Sequence, residues 1–307
     1  MPPEAKAFLE SLHPRTGTIP LPEAKATLEL GDDYLFYGPA DAERIIVDAW
    51  GNPPTAGDGV LGLVMPAGTT PLSDAWGAVV TYESTGYVSD EDAADADYAA
   101  ILAELKEGTA ANNADRRAEG YPEIEVIGWA EDPKYDKLSH SVVWARDLKF
   151  GRDETHALNY DFRSLGRHGV LSINVISSMP ELANVRIAAR DFASHAHFDA
   201  GARYEDFDST IDRKAEYGIG GLVAAGVGVA AAKKAGLLAL LLKFLKPILV
   251  GIAVLFGTFF RKVKRLFGLD DSPSDAEWEA YANDPAEGEF EASEAQATQP
   301  SDADGVT

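Results

Sequence analysis

The chain has 307 residues, is 46% hydrophobic and carries a formal net charge of −23, enough apolar material for one sizeable core with appendages. Such acidity opposes binding of the folded part to nucleic acid phosphates or to anionic lipid. The absence of cysteine excludes disulfides, thiolate zinc sites and cysteine nucleophiles together.

Residues 1–14 read as a leader with no charged segment followed by an apolar one, so no cleavable export signal is expected there. Residues 15–210 are mixed, aromatic-rich and punctuated by Gly and Pro. Short alternating runs predict strands at 18–21, 26–30, 76–83, 123–129, 141–150, 157–164 and 169–176. The loop Gly151-Arg152-Asp153 between two of them predicts a hairpin rather than a crossover. Helical periodicity marks 40–50, 90–107 and 180–196. Strand clusters interrupted by a few helices predict an α+β domain, an antiparallel sheet with about three helices.

Residues 211–268 read as a membrane block. Its apolar run, 218–260, contains no acidic residue and is closed by Arg261, Lys262, Lys264 and Arg265. A bilayer core is crossed by roughly 20 predominantly apolar helical residues, and such a basic cluster is the usual cytoplasmic stop. Lys233, Lys234, Lys243 and Lys246 interrupt the run. The favoured reading is one span at about 236–260, with Lys243 and Lys246 snorkelling to the near interface. A span starting near Phe244 and a hairpin of two spans are the alternatives. In either single-span reading 218–232 is a separate Gly/Ala-rich helix packing in or on the membrane. Residues 269–307 hold a dozen acidic side chains and no Lys or Arg. With few large apolar groups, this tail is expected to be disordered.

Candidate chemistry is sparse. The acids at 90–97 (Asp90, Asp92, Asp95 and Asp97) offer hard oxygens, but a calcium loop wants Gly at its sixth position and a carboxylate at its twelfth. A helix start with Ser89 as N-cap and Asp92 at the capping-box position accounts for them better. His195, His197 and Asp199 stand two apart, so a strand there would bring all three to one face as a zinc or copper site; the plain alternative is a polar strand face following a helix. Arg163 and Arg167 flank a Gly-containing connection and can fork onto an anionic ligand or onto structural acids. Trp50 ends a helix, with Gly51 or Asn52 supplying a left-handed residue and Pro53 blocking continuation; the other reading is an exposed ring for ligand stacking. Ser139-His140-Ser141 is adjacency in sequence rather than triad geometry. No phosphate loop, dinucleotide fingerprint or Gly-x-Ser-x-Gly is present.

Several strings are similar, as an ordered set, to a known family. They are Trp50-Gly51-Asn52-Pro53-Pro54, Gly86-Tyr87-Val88-Ser89-Asp90-Glu91-Asp92-Ala93, and Gly128-Trp129-Ala130 with Pro133-Lys134-Tyr135-Asp136. Further along come Leu158-Asn159-Tyr160-Asp161-Phe162-Arg163 with Leu165-Gly166-Arg167, Gly201-Ala202-Arg203-Tyr204-Glu205-Asp206-Phe207 and Ala215-Glu216-Tyr217-Gly218. Over about 12–267 the chain resembles DUF2167, a family of bacterial membrane-anchored proteins of unknown function. The resemblance implies bacterial origin and an exported or membrane-bound domain ahead of a C-terminal span, and it supplies no catalytic residues. Family members usually begin with an export signal, which this chain does not display. Strand 169–176, helix 180–196 and His197-Phe198-Asp199 also resemble the closing strand–helix–strand of PsbP/Mog1-like domains.

The expectation is therefore a single-pass inner-membrane protein, its domain periplasmic and its tail cytoplasmic. Its partners would be the bilayer and a protein of the membrane or envelope, with no nucleic acid or cofactor and with no small-molecule ligand identified from the sequence. The competing expectation is a metal-dependent hydrolase or other enzyme using His195 and His197 or the acids at 90–97.

Overall fold

A computed structural model describes residues 1–226. The expected span at 236–260, the basic cluster Arg261, Lys262, Lys264 and Arg265, and the tail 269–307 lie outside the described residues. The order of elements is α1 (Pro3–Glu10), β1 (Thr18–Leu21), β2 (Ala26–Glu29), β3 (Tyr34–Tyr37), α2 (Pro39–Arg44), β4 (Val60–Pro66), β5 (Gly77–Glu83), β6 (Tyr87–Ser89) and α3 (Tyr98–Ala118). There follow β7 (Ile124–Asp136), β8 (Ser141–Phe150), β9 (Ala157–Leu165), β10 (Val170–Ser178), α4 (Leu182–His195), β11 (Ala196–Phe198), β12 (Lys214–Gly218) and α5 (Ile219–Gly226).

Seven strands form one antiparallel sheet in the order β3-β4-β5-β10-β9-β8-β7. Successive side chains of a strand point to opposite faces, and here both faces are covered. Leu63, Met65, Trp144 and Leu148 point to one face and pack with Ile45, Ile46 and Trp50, with Leu105 of α3 and with Leu222 and Val223 of α5. Val64, Val80, Leu158, Tyr160, Phe162 and Ile173 point to the other, beneath α4 and the small antiparallel sheet β1-β2-β11. The domain is α+β with antiparallel sheets, as the sequence predicts, with five α-helices among the described residues. A short parallel pair, β6 with β12, closes the end of the first layer.

Two boundaries differ from the sequence reading. The helix expected from residue 90 begins at Tyr98, where the side chain of Asp97, not Ser89, caps it by accepting from the Ala100 amide at 2.9 Å. Asp92 is engaged elsewhere. Its carboxylate accepts from the amides of Ile219 at 2.7 Å and Gly220 at 3.3 Å, and so caps α5. The second difference is at 211–226, read from sequence as the start of the membrane block. Residues 214–218 form β12, and in α5 Ile219, Leu222, Val223, Ala224 and Gly226 are buried in the domain. A Gly/Ala-rich apolar helix packs as closely against a sheet as against another membrane helix, so composition alone does not separate the two. Among the described residues, no helix is long and apolar enough to cross a membrane.

Candidate functional site

The turn joining β7 to β8 carries His140 in the left-handed region, φ 48°, a conformation uncommon for a residue with a Cβ. Its ring is held from two sides. Nδ1 lies 3.1 Å from the Tyr135 hydroxyl, which itself donates to Asp90 Oδ2 at 2.9 Å. On the other side the ring stacks on Tyr204 at 4.2 Å between centroids. Tyr204 stacks in turn on Tyr87 at 4.5 Å, and Tyr87 on Phe207 at 3.9 Å. The Tyr204 hydroxyl donates to the Val88 carbonyl at 2.9 Å. Burial first, then hydrogen bonding and the nearby Asp90 charge, pushes the Tyr135 phenol well above its ordinary value, so it stays protonated. Beside this column opens a cleft of about 280 Å3 lined by Ser139, His140, Ser164, His197, Arg203 and Glu205, with Leu165 and Phe198 among its apolar walls.

A second polar assembly lies under α5, on the middle strands of the sheet. Asp161, 1% exposed, accepts from Arg146 Nη2 at 3.0 Å and from Arg163 Nη2 at 2.9 Å. Arg146 also donates to Asn159 Oδ1 at 2.7 Å; Arg163 reaches Glu83 Oε1 at 3.0 Å and the Ser172 hydroxyl. Two cations thus face two anions. Burial lowers Arg146 from its ordinary value; at Arg163 burial acts the same way, but Asp161 and Glu83 outweigh it and hold the charge. The Arg163 guanidinium sits 5.4 Å over the Trp144 ring. α5 closes this platform: a Cβ added to Gly226 would lie 2.8 Å from Trp144 Cζ2 and 3.4 Å from Arg163 Nη2.

Residues 13–257 match the family described as "Protein of unknown function (DUF2167)". The chain belongs to this family. No curated protein matches it. Among solved structures it is similar to cyanobacterial PsbP (CyanoP) from Synechocystis sp. PCC 6803, at 10% identity over 62% of this chain and 93% of that one, with a TM-score of 0.34.

The residues singled out from sequence fall in four places. Trp50 is 3% exposed and donates through Nε1 to the Pro71 carbonyl at 2.9 Å, so its ring closes the helix end rather than offering a stacking face; Gly51 takes the left-handed conformation, φ 67°. Arg163 belongs to the buried platform. Arg167 forks onto Asp212 at 2.7 and 3.2 Å and reaches the Gly201 carbonyl, fixing the connection to β12. His195, His197 and Asp199 do not share a strand face, because α4 runs through His195 and the strand starts at Ala196. His195 lies 3.4 Å from Asp191, one helical turn back, while Asp199 accepts from the Thr27 hydroxyl at 3.2 Å. Among the described residues no cluster of three His, Asp or Glu side chains is placed to hold a metal ion. His140 enters the sequence reading only as the middle of Ser139-His140-Ser141, because Asp90, Tyr135 and Tyr204, which hold it, are scattered over more than a hundred positions.

Proposed function

We propose a membrane-tethered, non-enzymatic domain of the bacterial envelope that holds a partner protein close to the bilayer. The observation that carries this reading is α5. It is buried on the sheet and capped by Asp92, and the chain runs on from it into the apolar stretch 227–260, which holds Lys233, Lys234, Lys243 and Lys246 but no acid, and then the cluster 261–265. An anchor that begins about ten residues after a core helix keeps the domain close to the bilayer, which suits presentation to a partner rather than free reach. In membrane fractions, the full chain is expected to resist alkaline extraction and a chain ending at Gly226 to stay in the supernatant. Co-purification of a partner protein with the full chain, lost on that shortening, tests the second half. Full-length protein in the supernatant would sink the reading.

The competing metal-dependent enzyme draws less support from the geometry. Asp90 serves Tyr135, Asp92 serves α5 and Asp97 serves α3, so the acids at 90–97 point to three separate tasks. His195 and His197 leave α4 and β11 on different elements.

A further inference from the structure

We propose that the cleft beside His140 binds a small monocarboxylate with a hydrogen-bond donor on its α-carbon, an α-amino or α-hydroxy acid with a compact apolar side chain. The cleft, about 280 Å3, falls just under the roughly 300–1,000 Å3 of typical ligand pockets, which sets the ligand at metabolite size. Its lining divides by chemistry. Arg203 brings a guanidinium that makes no ion pair among the described residues, whereas Arg146, Arg163 and Arg167 are each matched to an acid. A planar fork of donors is suited to a carboxylate.

The acceptors follow from the bonding order. Asp90 as a carboxylate only accepts, so the one proton of Tyr135 goes to it. The Tyr135 oxygen is then left to accept, and Nδ1 of His140 is the atom that donates to it. In the neutral ring Nε2 is therefore the bare nitrogen, an acceptor on a residue that lines the cleft. Glu205 is a second acceptor in the same lining. His197 and the hydroxyls of Ser139 and Ser164 complete the polar lining, and the guanidinium with the two acceptors gives partners to both ends of a ligand that has one carboxylate and one donor. A single unpaired cation beside Glu205, in a chain of net charge −23, disfavours dianions such as phosphate. Leu165 and Phe198 leave an apolar wall for a side chain of a few carbons. The site stands whether or not the chain is anchored.

The test is calorimetric titration of the full chain with matched probes: L-valine, 2-hydroxyisovalerate, isovalerate (no donor), isobutylamine (no carboxylate) and inorganic phosphate. Valine or 2-hydroxyisovalerate is expected to bind more tightly than about 1 mM. Isovalerate should be weaker by about tenfold or more, and isobutylamine and phosphate weaker still. Arg203→Gln, at an exposed position, should weaken the best probe about 10–100-fold, the range for one charge-assisted bond. Imidazole nitrogen NMR should show His140 with Nε2 unprotonated, and Tyr135→Phe should turn that signal into a tautomer mixture. Absence of binding by both donor-bearing acids overturns the proposal. So does equal binding of isovalerate, tighter binding of phosphate, an indifferent Arg203→Gln, or a wild-type ring protonated at Nε2.

Discussion

Asp161 accepts from two guanidiniums at once on a strand with no exposed residue. Breaking a buried pair by removing one partner leaves the other charge uncompensated, typically at about 3–5 kcal/mol. Asp161→Ala should therefore destabilise by about that amount in denaturant titration. Glu83→Ala should cost less, because its side chain is 23% exposed and water can replace it at Arg163; equal losses would argue against the platform. The network also explains what sequence reading misses at this strand. Asn159, Asp161 and Arg163 alternate with Leu158, Tyr160 and Phe162, the pattern of a strand with one face in water. The strand is legible from that alternation, but the polar face is buried, and only the three-dimensional cover of α3 and α5 reveals it. A surface counterpart is Arg167 with Asp212. The Arg167 hydrogen bonds, then the Asp208 amide, lower the Asp212 carboxyl below its ordinary value near 3.9. Ionised Asp212 is favoured by folding, so its contribution is full above about pH 4 and is lost as pH falls through the lower folded value. Stability followed from pH 6 to pH 2 should fall more steeply in the wild type than in Asp212→Asn; parallel curves would rule the contribution out.

At the scale of elements, the hairpins of the middle sheet were open to sequence reading because period-two patterning and a Gly-bearing loop agree. β4 was not, since Leu63, Val64 and Met65 are apolar toward both faces and show no alternation. The start of α3 is not legible from sequence, because an acid before an Ala-rich run is the same signal whichever helix it caps. Asp92 and Asp95 give the contrast by which this is checked. Loss of an N-cap typically costs about 0.5–2 kcal/mol, so Asp92→Ala should lower the melting temperature. Asp95→Ala, exposed and outside any cap, should stay within about 0.5 kcal/mol. The close seat of α5 is tested at Gly226, where a Val side chain must displace Trp144 or Arg163. Gly226→Val should therefore loosen α5, seen as faster amide exchange over 219–226, while leaving β1, β2 and β11 protected on the far face.

For the whole molecule, the assignment of residues 219–226 to the domain changes the arithmetic of the proposed anchor. What remains of the apolar run, 227–260, is about 34 residues, whereas two crossings of roughly 17–20 residues each leave nothing for the turn between them. One crossing fits with room for Lys233, Lys234, Lys243 and Lys246 on the domain side. Those four cations nearly balance the stop cluster by number, but Arg261, Lys262, Lys264 and Arg265 are packed within five positions directly after the run. The acids of the tail begin only at Asp270 and weigh little in orientation. Single-span anchoring with a cytoplasmic tail and a periplasmic domain is the arrangement this favours. Protease added to intact spheroplasts should digest the domain and spare the tail, read with antibodies to each end. Protection of both ends would mean a hairpin despite its length, and digestion of the tail alone would reverse the orientation.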